Sequence, residues 1–177
     1  MKVEFVNPFL SAAFNVLQTE VQAKIDRGDL SIEESQFTSK DITVMIGVVG
    51  KVRGIVMYSM SEETARNLVG AMLGQPVETF DSMAESAISE IGNVITGGAS
   101  AELEKAGYAC RISPPTLIMG AKTVISTVNI KRLVVPLKTQ YGEIEVSIAL
   151  EEAKSSSSTD LARSTIQIRD AVSALAH

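Results

Sequence analysis

Apolar residues recur every three or four positions near the start of the chain, at Leu10, Phe14, Leu17, Val21 and Ile25, the spacing of one helical face. Asn7 and Pro8 read as an N-cap followed by proline at the first helical position, so a helix of about five turns is expected to begin there. Residues 29–40 are polar and read as a loop, with a short strand around 35–38. The period then changes. ITVMIGVVG and VRGIVMYSM are rich in β-branched and apolar residues and flank Gly50 and Lys51, the pattern of a hairpin. Ser61 caps the next helix, SEETARNLVGAMLG, and Gly74 ends it. Ser82 and Glu85 form a capping box that opens a long helix, which Gly107 closes. YACRI, TVISTVNI, RLVVPLKTQ and EIEVSIAL follow as strand-like runs, the last two joined by a turn at Tyr141 and Gly142.

Helix, strands and hairpin thus occur twice as a weak internal repeat, the halves offset by 78 residues when Asn15 is laid on Asn93. The expected fold is α+β: a mostly antiparallel β-sheet with long helices packed on one face and an internal pseudo-repeat. Residues 1–153 form one domain in this reading. Residues 154–177 are a Ser-rich linker and a helix with Leu161, Ile168, Val172 and Leu175 on one side, expected to dock on its own subunit, a dimer mate or a partner.

Composition narrows the chemistry. The chain has 177 residues, of which 45% are hydrophobic and 21% charged, so it is long and apolar enough to bury a sizeable core. A net charge of -5 argues against nucleic acid as the main partner, because phosphate backbones demand a clustered basic field. Cys110 is the single cysteine and excludes an internal disulfide; it reads as an inert core residue. The single histidine, His177, leaves little room for histidine catalysis or a zinc site, and no metal ligands are expected. No membrane span or secretory leader is evident, so a soluble, cytoplasmic protein is expected. Met57, Met60, Met72 and Met83 read as core filler, and the Lys51/Arg53 and Lys131/Arg132 pairs as solvated strand ends.

The long helix holds the chemistry that remains. At about 100° per residue, Ser86, Glu90, Asn93 and Gly97 fall on one side and Ala84, Ile88, Ile91 and Ile95 on the other. The carboxylate and the amide therefore point outward on a strip of small residues. On spacing alone such a pair means solvation. Gly97 and Gly98 change the balance, since each mid-helix glycine costs on the order of 1 kcal/mol relative to alanine. Close approach of another surface would account for Gly97. Packing of the helix on the sheet would account for Gly98, which turns more toward the core.

Ser86, Glu90 and Asn93, with Pro114 or Pro115 beyond, resemble the signature of the CheC/CheX family of phosphatases from bacterial chemotaxis: Asp or Ser, three residues, Glu, two residues, Asn, then a proline. The likeness extends from about Ile42 through Leu150, over ITVMIGVVGKVRGIVMYSM, SEETARNLVGAMLG and the SPPT loop. The gap of 21 residues between Asn93 and Pro115 is slightly shorter than the family's usual spacing. The matching register on the first helix gives Pro8, Ala12 and Asn15, without the acid, so the resemblance implies one active site, as in CheX. It also implies a phosphatase acting on the aspartyl phosphate of a CheY-like response regulator and ending a chemotaxis-type signal. Glu90 and Asn93 would be catalytic, and Ser86, Gly97, Pro114 and Pro115 would touch the partner. The partner would bring its own Mg²⁺, and the protein would be a homodimer. A non-catalytic adaptor for a phosphorylated receiver domain or a flagellar switch component is the alternative. Retention of both Glu90 and Asn93 favours the enzyme.

Overall fold

The structure, a computed structural model, describes residues 3–33, 36–126 and 130–153. The linker and helix expected over 154–177, and residues 127–129 of the run TVISTVNI, lie outside the described residues. In chain order the elements are α1 (Val3–Val21), β1 (Asp26–Arg27), β2 (Ser31–Glu33), β3 (Gln36–Thr38), β4 (Ile42–Gly50), β5 (Val52–Met60), α2 (Glu62–Leu73), α3 (Ser82–Lys105), β6 (Cys110–Ile112), β7 (Thr116–Met119), β8 (Val124–Ser126), β9 (Arg132–Thr139) and β10 (Gly142–Glu152). The fold is α+β. An eight-stranded antiparallel sheet runs β1-β9-β10-β5-β4-β6, with β2 also paired to β9 and β7 to β4. A separate ribbon pairs β3 with β8.

Period-two alternation decides what each strand presents to the helices. Register sets Val44 and Val146 opposite Tyr58, and Val135 opposite Val146. These side chains share a face and are buried with Phe5, Phe9 and Leu17 of α1 and Ile88, Ile95 and Leu103 of α3. The Tyr58 hydroxyl, fully buried, lies 2.8 Å from the Thr96 hydroxyl of α3. Burial raises its pKa well above the usual tyrosine value, and the bond to Thr96 offsets part of that rise.

The opposite face is buried as well. Thr43 and Ser59 share a hydrogen bond there at 2.8 Å, and Met57, Ser147 and Ala149 show no exposure. The chain must pass from β2, on the β9 side, to β4, and from β7 back to β9. The β3–β8 ribbon carries it across. The Lys40 backbone N–H donates to Ser59 Oγ, and Lys40 Nζ pairs with Glu143 at 2.8 Å and Glu145 at 3.6 Å. Arg132 meets Glu33 on the same face and is almost fully buried. The reading of Arg132 as a solvated strand end is therefore corrected: register sets it beside Glu33 of β2, and its side chain is almost fully buried.

Helix boundaries follow local chemistry with three corrections, one being that α1 stops at Val21, short of Ile25. Ser61 caps α2 through its hydroxyl, which accepts from the Thr64 N–H, and Gly74 ends it in the left-handed conformation, as expected. The cap of α3 is Asp81 rather than Ser82: its carboxylate accepts from the N–H groups of Met83 and Ala84, a stronger partner than a hydroxyl at a positive helix end. Gly107 does follow the end of α3, at positive φ. Pro8 lies inside α1, not at its start. Tertiary contacts hold the added turn, since Phe5 and Val6 are buried and Phe5 meets the edge of Tyr108, whose hydroxyl donates to Glu4. No helix among the described residues is long and apolar enough to cross a membrane.

Candidate active site

α3 is seated on the sheet through Ala84, Ile88, Ile91, Ile95, Ala99 and Leu103, all buried. Gly92 sets how closely it can sit. A Cβ there would lie 2.9 Å from Val44 Cγ1 and 3.2 Å from Tyr58 Cδ2, so the helix backbone rests almost on the strands. This was the packing role expected of Gly98. Gly98 is instead solvent-facing beside α1, where a Cβ would meet Ala12 at an ordinary 3.5 Å. Gly97 lies toward the β6 side, and a Cβ there would approach only Ile112, at 3.9 Å. Nothing in the subunit's described packing requires either glycine.

With the core face fixed, the outward face is fixed too. Ser86 and Glu90 are exposed and Asn93 half-buried. Asn93 Nδ2 donates to Glu90 Oε2 at 3.4 Å, long for a hydrogen bond and so easily given up. The Ser86 hydroxyl turns back to donate to the Ser82 carbonyl at 2.9 Å. On the β6 side, Ser100 donates to the carbonyl of Cys110 at 3.2 Å, and Cys110 is only half-buried.

The loop Ser113, Pro114 and Pro115 leaves the sheet directly after Ile112, the residue nearest Gly97, and is pinned at its root. Ser113 N–H donates to the Gly47 carbonyl at 2.9 Å and Ser113 Oγ accepts from the Gly47 N–H at 2.9 Å. Pro114 is exposed and Pro115 half-buried; no hydrogen bond joins this loop to Glu90 or Asn93. Ser86, Glu90, Asn93 and Gly97 thus form one strip, with the proline loop beside its Gly97 end. Among the described residues, no three His, Cys, Asp or Glu side chains gather as a metal site.

Sequence reasoning missed the apolar side chains around this strip. Val94 and Met83 are 44% and 59% exposed, so Met83 is not core filler. Their spacing to Glu90, at positions 83, 87, 90 and 94, is the signal that could have found them.

A family model described as "Chemotaxis phosphatase CheX" matches residues 42–138, more than half of the chain. The chain belongs to the CheX family. It is a phosphatase of that family, and the match spans β4, β5, α2 and all of α3. The "CheY-P phosphatase CheX" of Thermotoga maritima is 28% identical over 131 residues, covering 73% of this chain and 84% of that protein. Among solved structures, a CheC-like superfamily protein from Shewanella sp. PV-4 aligns with a TM-score of 0.77 at 27% identity, over 85% of this chain and 99% of its own. A CheX from Borrelia burgdorferi, solved as a CheX–CheY–BeF₃–Mg²⁺ complex, aligns with a TM-score of 0.74 at 29% identity, over 85% of this chain and 100% of its own.

Proposed function

We propose that this CheX-family phosphatase hydrolyses the aspartyl phosphate of a CheY-like receiver domain, and that the receiver docks on the outward strip of α3. One observation carries the reading: an exposed carboxylate and an amide, one turn apart and joined at 3.4 Å, on a helix held rigidly against the sheet.

An acyl phosphate is already activated. The water oxygen bonds to phosphorus as the bond from phosphorus to the aspartyl oxygen breaks; the aspartate departs as a carboxylate, and the water's protons pass to phosphate and solvent. The enzyme's work is to place that water in line and complete the electrostatics. The Asn93 amide can donate and accept at once, which suits it to hold a water. Glu90 pairs with the receiver's lysine and fixes the docking register. Losing Glu90 to that lysine frees the Asn93 amide to turn toward the water. Mg²⁺ comes with the receiver. Ser86, Gly97, Pro114 and Pro115 line the contact, Gly97 allowing close approach. The protein is a cytoplasmic homodimer in this reading, with one complete site in each copy.

The test follows phosphate loss from a purified phosphorylated receiver domain. Faster loss in the presence of this protein supports the reading. Loss at the receiver's own rate, with the complex still forming, overturns it in favour of the adaptor.

A further inference from the structure

Beside Glu90 lies a cleft of about 210 Å³ between the three helices, lined by Val16 and Glu20 of α1, Met72 of α2, and Glu90, Ile91 and Val94 of α3. Its volume is below the usual range for small-molecule sites, about 300–1,000 Å³, and suits a single side chain. Four lining residues are apolar. The two polar ones are both carboxylates. No described lysine or arginine comes within ion-pair distance of Glu20 or Glu90. The exposed Val94 makes the cleft continuous with the Glu90–Asn93 strip.

An apolar floor with acidic groups and no cation of its own is the complement of an aliphatic stem ending in a positive charge. We infer that this cleft receives a lysine or arginine of the docked receiver, distinct from the lysine that Glu90 engages. The stem packs on Val16, Met72, Ile91 and Val94, and the head pairs with Glu20. The inference rests on the functional reading above and assigns Glu20 to partner selection: a receiver lacking the basic residue binds less tightly but reacts as fast once bound. Glu20 is exposed at the last turn of α1, so substitution there leaves the fold intact.

The decisive measurement compares Glu20→Gln and Glu20→Lys with the unmodified protein in dephosphorylation kinetics at low and high salt. The expected result is a KM raised about three- to five-fold in Glu20→Gln and further in Glu20→Lys, with kcat unchanged and a shallower salt dependence. Reversing the charge of the matching basic residue on the receiver should be rescued by Glu20→Lys. An unchanged KM and salt slope overturn the inference. So does a rise in KM on Val94→Ser without one on Glu20→Lys, which would put an apolar side chain in the cleft. Calorimetric binding of a receiver loaded with beryllofluoride and Mg²⁺ separates the two claims. If the unmodified protein binds it without hydrolysing the phosphorylated form, the catalytic reading fails. The Glu20 contact is then still decided by whether Glu20→Lys weakens that binding.

Discussion

Asn93 and Glu90 share one hydrogen bond, yet the reaction asks different things of them. In the proposed mechanism Asn93 acts on water in the transition state, so Asn93→Ala should lower kcat by roughly 10²–10³-fold and leave binding of the phosphorylated receiver almost unchanged. Glu90, in the same proposal, acts on the partner's lysine before and during the reaction. Glu90→Ala should therefore raise KM as well as lower kcat, and should flatten the salt dependence of KM. Both side chains face outward, so each variant should differ from the parent in stability by less than about 1 kcal/mol in urea titration. Steady-state kinetics on a folded Asn93→Ala protein with full activity would remove the water-positioning role. The outward placement of Glu90 and Asn93 was legible in the sequence because helical periodicity sorts α3 into a buried and an open face, whereas the roles proposed for them come from the family resemblance and not from spacing. The burial of Arg132 was not legible: its partner Glu33 is 99 positions away in the chain, and only the strand pairing brings the two together.

At the scale of the element, α3 carries three glycines with different reasons to exist. Gly92 is needed by the fold, because a methyl group would press on Val44 and Tyr58. Gly92→Ala should destabilise the protein by about 1–3 kcal/mol despite its better helix propensity. Gly97→Ala should do the reverse and stabilise by about 0.5–1 kcal/mol, since the added methyl meets only Ile112 at 3.9 Å. If Gly97 is there for the receiver's close approach, the same substitution should raise KM. Thermal melts and kinetics on both variants check the pair of outcomes, and an unchanged KM for Gly97→Ala would deny the close approach. The sequence drew attention to the adjacent glycines and passed over Gly92, because distance to a strand is a tertiary quantity that helical spacing does not contain. The caps at Ser61, Gly74 and Gly107 were legible because their bonds are local. Pro8 misled for the same reason: the local rule holds unless remote contacts, here Phe5 on Tyr108, support another turn.

For the whole molecule, the open question is what a second copy would cover. The sheet's edges are broken into short pieces: β1 and β2 on one side, β6 and β7 on the other. Short edge strands already discourage open-ended pairing. The case for a dimer rests instead on apolar side chains that this subunit leaves in solvent. Ile32 on β2 is 71% exposed and neighbouring Leu30 48%, while Met119 on β7 is 58% and Val124 on β8 63% exposed. Ile32 and Leu30 lie at the β2 margin, across the sheet from β4, β6 and β7, which α3 covers, so a dimer built there would leave Glu90 and Asn93 open to the receiver. Light scattering should give twice the subunit mass at micromolar concentration, and Ile32→Asp should shift it toward the monomer without unfolding the chain. Phosphatase activity per subunit should survive that shift, because each strip is complete within one copy. A parent protein that stays monomeric as concentration rises would refute the dimer and leave the exposed margin to some other partner.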